Sequence, residues 1–365
     1  MPAANLSNDV PTTMRAAVYR GDSAVAVEYV PTPRIGPGEL LIRVEACGVC
    51  HTDLKKVEHN LLAPPRIFGH ETAGVVAQAG ANVRRFAPGD RVVVFHHIPC
   101  GDCFYCRHKL YAQCPVYKKV GVTAGFEPAG GGFSQYVRAM DWIVERGVEK
   151  IPDGVSFEEA SFVEPVNTCM KAVAQCAPGR DDTVLVMGQG PIGLIFTMLV
   201  ARRGARVFTT DTIESRLELS RQCGAQASWS PGKTDVAAEI VNLTDDRGAD
   251  VVILATSVKG LVEEGVRCSR PGAKIMLFAQ TSDAERIELS GASICVGERT
   301  LFGSYSASVD LQTESADLVF RRDIPVKLLI SHRVPLAKIN SAFELALHPS
   351  EGSLKIIVEP QRWPE

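Results

Sequence analysis

The chain has 365 residues, of which 45% are hydrophobic and 22% charged, and its net charge at pH 7 is −3. This length is sufficient for two domains, each with its own core. The charge balance lacks the basic footprint of a nucleic-acid-binding protein, and no apolar run suits a membrane span or a secretory signal. Eleven cysteines without an export signal indicate metal ligands and core thiols in a reducing, cytoplasmic setting.

The first third of the chain is predicted to be β-rich. Residues 1–13 are small and polar, and we expect them to form an N-terminal extension before Met14. Turn signals then separate short β-type runs, at residues 16–19, 25–30, 40–44 and 72–94. We therefore expect one compact, barrel-like β domain in this part of the chain.

Metal-binding side chains lie between the third of these runs and the fourth. They are Cys47, Cys50, His51, Asp53, His70 and Glu71. Ligands of this kind suit Zn²⁺, and a site with few protein ligands leaves a coordination position open for catalysis. The sequence therefore predicts a reactive metal site here.

Four further cysteines follow with the spacing C-x2-C-x2-C-x7-C, at Cys100, Cys103, Cys106 and Cys114. Four thiolates in so short a loop fit a tetrahedral zinc site. No coordination position remains open in such a site, so we expect it to be structural. An iron–sulfur cluster and a chance cluster of thiols are the alternatives.

Glu164 stands before Pro165 at the start of a helical run that extends to about Ala177. An acidic residue at this position is also typical of the exposed first turn of a helix, which is the alternative interpretation of Glu164. A capped helix start is predicted just upstream, at residues 156–160.

A nucleotide-binding pattern begins at residue 184. A buried-type strand at 184–187 leads directly into Gly188-Gln189-Gly190-Pro191-Ile192-Gly193, and an apolar helix follows at 194–203. The glycines of this G-x-G-x-x-G pattern permit the turn, the approach of a pyrophosphate and close packing of helix on strand. The N-terminus of the helix then offers N–H donors to the phosphates.

Asp211 ends the next predicted strand, about twenty residues after the glycines, where a carboxylate binds both ribose hydroxyls. This acid repels a 2′-phosphate and favours NAD over NADP. Arg216 weakens the preference for NAD, because a nearby guanidinium accommodates the 2′-phosphate of NADP.

Strands and helices alternate from about residue 183 to 305, which predicts a doubly wound parallel sheet. Two helices, at 315–321 and 338–347, and a strand at 353–358 follow. We expect this strand to return to the first domain and complete its sheet. Lys355 within it is either a solvated cation at a strand end or a partner of the cofactor pyrophosphate.

Together these motifs resemble the zinc-dependent medium-chain alcohol and polyol dehydrogenases, from about Met14 onward. The resemblance implies an α/β protein with a GroES-like catalytic domain, a Rossmann NAD-binding domain and an active site in the cleft between them. The implied catalytic domain comprises residues 14–165 and 310–365, with the structural zinc lobe at about 97–117. The implied Rossmann domain comprises residues 166–309.

The resemblance also implies roles for individual residues. Cys50 and His70 match two catalytic zinc ligands, and Glu164 matches the third, where the primary-alcohol branch has cysteine. Glu71 matches an acid that is either a ligand or a neighbour of the ligands. Thr52 matches the hydroxyl that carries away the alcohol proton, and Asp53 an acid that orients a ligand.

Several positions depart from the family pattern or are excluded from the site. Lys55 stands where some relatives have a relay histidine, so His51 or the cofactor ribose would continue the proton route. Cys47 and Cys169 are interpreted as core thiols. The other histidines lack ligand-like spacing and are interpreted as surface or core residues; they are His59, His96, His97, His108, His332 and His348.

The resemblance implies oxidation of a secondary alcohol, in a polyol or sugar alcohol, with hydride transfer to NAD. L-Threonine or simple alcohol dehydrogenation, a zinc-free quinone or enone reductase and a non-catalytic NAD-binding protein are the alternatives. Members of this family form dimers or tetramers, and we expect a homo-oligomer with a contact near residues 301–305.

Overall fold

A computed structural model describes residues 10–119, 121–126, 130–279 and 286–363. The chain divides into two compact units, one formed by Met1–Pro165 with Ser308–Glu365 and the other by Val166–Ala307. Of the predicted N-terminal extension, residues 1–9 lie outside the described part of the chain. Within the four described ranges, no helix combines the length and the hydropathy that crossing a membrane requires.

The first unit begins with a β-rich segment, as predicted. Its strands are β1 (Thr13–Gly21), β2 (Ala24–Pro31), β3 (Leu40–Gly48), β4 (Arg66–Ile67), β5 (Glu71–Ala79), β6 (Arg91–Val94), β7 (Val122–Thr123), β8 (Tyr136–Ala139) and β9 (Val148–Lys150). The helices of this part are α1 (His51–Glu58), α2 (Phe104–Arg107), α3 (Asp141–Arg146) and α4 (Phe157–Ala160). A further helix, α5 (Val163–Cys176), begins in this unit and continues into the second from Val166. A capping box joins Ser156 to Glu159 at the start of α4.

β3 and β5 form the centre of this unit. Their antiparallel register sets Leu40 opposite Ala79 and Gly48 opposite Glu71. β8 pairs with the first half of β3, while β6 pairs with β5 and β9 with β6. Because β3 is covered on both faces, its apolar residues are fully buried. β2, β1 and β4 form a separate three-stranded sheet.

The second unit is a parallel sheet with helices, as the alternating pattern predicts. Its strands are β10 (Thr183–Met187), β11 (Arg206–Thr210), β12 (Ala227–Trp229), β13 (Ala249–Leu254), β14 (Ser269–Leu277) and β15 (Thr300–Gly303). Its further helices are α6 (Pro191–Arg202), α7 (Glu214–Gln222), α8 (Val236–Asn242), α9 (Leu261–Cys268) and α10 (Gly291–Cys295). The strand order is β12-β11-β10-β13-β14-β15. This order is that of the doubly wound dinucleotide-binding fold.

The C-terminal part of the chain belongs to the first unit. It contains α11 (Gln312–Phe320), β16 (Ile330–Pro335), α12 (Ile339–Leu347) and β17 (Lys355–Glu359). β17 pairs antiparallel with β3, with Val358 opposite Cys47, and β16 pairs parallel with β17. The expected return of this strand to the first sheet is thus observed. Short 3-10 helices occur at Tyr111–Gln113, Val309–Leu311, Val326–Leu329 and Leu336–Lys338.

Several helices differ from the sequence prediction, and two of them, α1 and α6, have a clear physical reason. α1 was not predicted, because its eight residues bury only Asp53, Leu54 and Val57 and give too short a periodic signal. α6 begins at Pro191, three residues before the predicted start. Proline suits the first position of a helix, since its missing N–H would have no partner inside the helix.

Candidate functional site

The antiparallel pairing of β3 and β5 brings the first group of predicted ligands together. Gly48 at the end of β3 lies opposite Glu71 at the start of β5. Cys50 follows two residues later, in extended conformation directly before α1. One donor atom from each of Cys50, His70 and Glu71 lies within 4.8 Å of the other two. Thiolate, imidazole and carboxylate are all common zinc donors.

Asp53 orients the His70 ring. The Oδ1 atom of Asp53 lies 3.1 Å from Nδ1 of His70, and Asp53 is 1% exposed. Nδ1–H donates to the carboxylate, which leaves Nε2 of His70 for a metal. Burial alone would lower the pKa of His70, but the charges of Asp53 and Cys50 outweigh it and hold this pKa well above its usual value. His70 is thus placed to present Nε2 as the role predicted for it requires.

Glu71 has a buried cationic partner. Both carboxylate oxygens lie 2.7 Å from Nζ of Lys355, and the two side chains are 2% and 5% exposed. Nζ also donates to the carbonyl of Val49 at 3.1 Å. Only Oε1 accepts a hydrogen bond, so Oε2 is a buried acceptor without a hydrogen-bond partner in the described residues. An oxygen of this kind fits a site for a cation.

Lys355 is therefore not solvated, and the prediction of a solvated cation at a strand end is wrong. Its role as a partner of the cofactor pyrophosphate stays a prediction. Lys355 is 4% exposed. Burial alone would lower the pKa of Lys355, but the negative charge of Glu71 outweighs it and raises this pKa. Sequence periodicity gave no sign of burial, because the pairing of β17 with β3 joins residues far apart in the chain.

Glu164, the predicted third ligand, is buried at the second position of α5. It does not belong to the group of three donors that lie within 4.8 Å of one another. Burial raises its pKa to about 7, and the charges of His70 and Glu71 also act on it. Glu164 is thus a desolvated carboxyl beside the cluster, whereas a surface position was the alternative drawn from the sequence.

His96 is a further residue near the site, and no sequence motif indicated it. Its ring centroid lies 5.2 Å from that of His70, and its Nε2 lies 3.7 Å from Oε1 of Glu164. Burial, together with the neighbouring His97 and His70, lowers the pKa of His96 well below its usual value. No ligand-like spacing marks this residue, because it approaches the cluster through the fold alone.

The predicted proton-relay residues lie at the start of α1. Thr52 is half-buried and His51 exposed, and Lys55 is half-buried on the same helix. Cys47 and Cys169 are buried, in agreement with their interpretation as core thiols. The relay function of Thr52 stays a prediction.

The four-cysteine loop has the geometry of a tetrahedral site. One sulfur from each of Cys100, Cys103, Cys106 and Cys114 lies within 4.8 Å of the other three. Three of the sulfur–sulfur distances are 3.5, 3.6 and 3.8 Å. A tetrahedron with zinc–sulfur bonds of about 2.3 Å has edges of about 3.8 Å, so the donors fit zinc.

Backbone amides and neighbouring thiols set the charge state of this loop. Backbone N–H groups of Asp102 and Cys103 lower the pKa of Cys100 to about 6. Burial and the neighbouring Cys103 raise the pKa of Cys106 to about 12. A cation would stabilise the deprotonated form of such a thiol. The hydroxyl of Tyr111 donates to Asp310 at 2.7 Å and fastens this lobe to the C-terminal segment.

The glycine-rich loop of the second unit joins β10 to α6. Gly188 has a positive φ of 93°, and Gly190 precedes α6, whose first two residues are Pro191 and Ile192. A Cβ at Gly193 would overlap the carbonyl of Gly188. The glycines therefore serve the turn and the close packing that the motif requires.

Asp211 fixes this loop from the end of β11. Its Oδ2 accepts the N–H of Gln189 at 2.6 Å, and its Oδ1 accepts the N–H of Ile213 at 2.9 Å. Each oxygen keeps a second lone pair for a ribose hydroxyl. The guanidinium of Arg216 lies 4.0 Å from the position that a Cβ on Gly190 would occupy, so it borders the same loop.

Comparison with known proteins agrees with this arrangement. The family model for the alcohol dehydrogenase GroES-like domain matches residues 36–153, and the model for zinc-binding dehydrogenases matches residues 191–321. The sorbitol dehydrogenase of Bacillus subtilis is 29% identical over 363 residues, which are 98% of this chain and 100% of the relative. The L-threonine 3-dehydrogenase of Pyrococcus abyssi is 33% identical over 270 residues, which are 72% of this chain and 75% of the relative.

A solved structure from Sinorhizobium meliloti 1021, described as a zinc-binding dehydrogenase bound to NADP, has a similar fold. It superposes with a TM-score of 0.86 and is 28% identical. The match covers 96% of this chain and 100% of that structure. Both units of the chain are thus found in one known protein.

Proposed function

The chain belongs to the medium-chain, zinc-type alcohol and polyol dehydrogenases, and from this premise we propose that it oxidises a secondary alcohol in a polyol or sugar alcohol and passes the hydride to NAD. One observation carries the proposal. The Cys50, His70 and Glu71 donors of the first unit occur in one chain with the Gly188–Gly193 loop of the second. The B. subtilis sorbitol dehydrogenase, matched over its whole length, supports a polyol substrate.

Cys50, His70 and Glu164 are the proposed protein ligands of the catalytic zinc, with Glu71 close enough to join them. Bound Zn²⁺ would supply Lewis acidity, which lowers the pKa of an alcohol hydroxyl. Asp53 keeps the His70 ring in one orientation through its hydrogen bond to Nδ1. The four cysteines at 100, 103, 106 and 114 are the proposed ligands of a structural zinc.

Thr52 is the proposed acceptor of the proton that leaves the substrate hydroxyl. A hydroxyl both accepts and donates hydrogen bonds, so it passes a proton on without holding a charge. Its place in the first turn of α1 lies two residues after Cys50. His51 or the ribose of the cofactor would take the proton further, because Lys55 stands where some relatives have a relay histidine.

Asp211 is the proposed partner of the adenosine ribose. Its carboxylate accepts two backbone N–H groups and keeps lone pairs for both ribose hydroxyls. The same charge would repel a 2′-phosphate, so NAD is the proposed cofactor. NAD would accept the hydride, and the N-terminus of α6, with Gly188, Gly190, Pro191, Ile192 and Gly193, would bind its pyrophosphate.

We assign residues 14–165 and 310–365 to the catalytic domain and 166–309 to the NAD-binding domain. We further propose a homo-oligomer, with β15 at the contact, because this strand has one neighbour in its sheet. Light scattering on the purified protein measures the mass and tests this. A cytoplasmic location is proposed from the free thiols of the cysteines.

Initial rates with a substrate panel test the proposed function. The panel contains polyols, secondary and primary alcohols and L-threonine, each with NAD and with NADP, and zinc is measured on the same sample. We expect zinc in both sites and the highest kcat/KM for a polyol with NAD. L-Threonine 3-dehydrogenation is the second candidate, favoured by the P. abyssi relative. A zinc-containing protein without NAD(P)H formation on any of these substrates would refute both.

A further inference from the structure

His96 contacts two members of the candidate site without belonging to it. The residue follows β6 and is 4% exposed. Its ring centroid lies 5.2 Å from that of His70, and its Nε2 lies 3.7 Å from Oε1 of Glu164. The imidazole therefore lies beside the proposed metal-binding histidine, and one of its nitrogens lies near the proposed carboxylate ligand.

The contact with Glu164 selects the tautomer of His96. A neutral imidazole has one N–H donor and one acceptor nitrogen. When Glu164 is ionised, as a metal ligand must be, a hydrogen on Nδ1 would leave the Nε2 lone pair of His96 beside a carboxylate oxygen, which is repulsive. It would also leave a buried donor without an acceptor, because Nδ1 has no hydrogen-bond partner among the described residues. The hydrogen therefore belongs on Nε2, which lies 3.7 Å from Oε1 of Glu164.

We propose that His96 is a positioning residue that holds the Glu164 carboxylate in place for the catalytic metal, an inference that rests on the proposed ligand role of Glu164. The present separation of 3.7 Å exceeds the usual limit of about 3.2 Å for such a hydrogen bond by about 0.5 Å. Hydrogen bonds of active sites are commonly long before the complex forms and shorten within it. Nε2–H would then occupy one carboxylate oxygen and leave the other for the metal.

The second oxygen of Glu164 and the sulfur of Cys50 would be metal donors under this arrangement. Carboxylate ligands are themselves hydrogen-bonded, and loss of such a partner costs 10–100-fold in metal affinity. Replacement of His96 should therefore lower the zinc affinity of the catalytic site and leave that of the four-cysteine site unchanged. A purely structural residue would not separate the two sites in this way.

The test measures zinc affinity by chelator competition on the full chain, with total zinc determined by mass spectrometry. The variants are H96F, H96Q and E164A, and H332F is the matched control for exchange of a half-buried histidine in the same unit. We expect H96F to weaken the catalytic site by about 10–100-fold with the structural site unchanged. H96Q should bind more tightly than H96F, because its amide N–H still reaches Glu164, and H332F should match the parent protein.

Retention of the four-cysteine zinc shows that each variant is folded. Should H96F fail this criterion, H96M, which is also apolar and more flexible, takes its place. Parental catalytic-site affinity in H96F or H96M, with loss in E164A, overturns the positioning role while the ligand assignment stands. Parental affinity in E164A overturns the ligand assignment, and the positioning role with it. Equal loss in H96F and H96Q also overturns the role, since the hydrogen-bond donor then makes no difference.

Discussion

Replacement of Lys355 by methionine should sharply destabilise the first unit of the metal-free protein. Methionine removes the cation but keeps an unbranched apolar side chain of similar reach. The Glu71 carboxylate, whose oxygens lie 2.7 Å from Nζ, would then be a buried charge without its lysine partner. Breaking a buried ion pair in this way costs about 3–5 kcal/mol. The Val49 carbonyl would also lose its donor.

The free energy of unfolding of the first unit provides the measurement. Chelator-treated protein is unfolded in urea and followed by hydrogen exchange, which resolves the two units where a single global transition would not. The double variant K355M/E71Q should recover most of the loss, because neutral replacement of both partners is often tolerated. Lys327 is exposed, and K327M serves as the surface control, with an expected change within about 0.5 kcal/mol.

A loss below about 1 kcal/mol in K355M, in the range of an exposed ion pair, would refute the reasoning. It would mean that Glu71 becomes protonated or solvated at little cost when Lys355 is absent. Failure of the double variant to recover would instead show that Lys355 contributes through packing and its Val49 contact. Either result would distinguish the contribution of the Lys355 charge from that of its packing in β17.

Three further predictions concern the two sites and an ion pair. C50S or H70A should abolish turnover and catalytic zinc while NAD affinity, measured by calorimetry, stays unchanged; full activity in either would contradict the ligand assignment. D211A should weaken NAD about 10-fold, equivalent to about 1.4 kcal/mol, and lower the NAD/NADP ratio of kcat/KM; an unchanged ratio would exclude Asp211 as the ribose partner. The pKa of Glu159 is lowered by the Arg322 hydrogen bond, so this pair stabilises above about pH 4.5 and the stability is lost as pH falls further. R322M should therefore reduce the fall of the melting temperature as the pH is lowered. An unchanged fall would show that this pair does not contribute to acid unfolding.

Local signals predicted most of the fold. The glycines at 188, 190 and 193 act within a few residues of one another, so strand, turn and helix follow from the sequence with Asp211 at the expected end of β11. The Cys₄ lobe is similarly local, since its thiols lie within fifteen residues. The departure at α6 is explained by the same short-range chemistry, because Pro191 is compatible with the first helical position.

Long-range contacts account for what the sequence did not show. His96 and Glu164 are 68 positions apart in the chain, and no sequence pattern around either residue indicates that they lie close together. Lys355 has the charge and position of a solvated strand end, and only the pairing of β17 with β3 buries it. The separation of Glu164 from the three-donor group likewise depends on how α5 begins, which residue types alone do not determine.

The distance along the chain between Glu71 and its cation affects synthesis. The two residues are 284 positions apart, and at about 5–20 residues per second a ribosome needs roughly 15–60 s to cover that interval. The second unit, contiguous from Val166 to Ala307, is complete within this time and is able to fold as a unit. During the same time the first unit lacks Lys355, so the Glu71 carboxylate beside Cys50 and His70 has no lysine partner. The metal-binding residues of this unit are therefore synthesised well before β17, whose pairing with β3 extends the sheet.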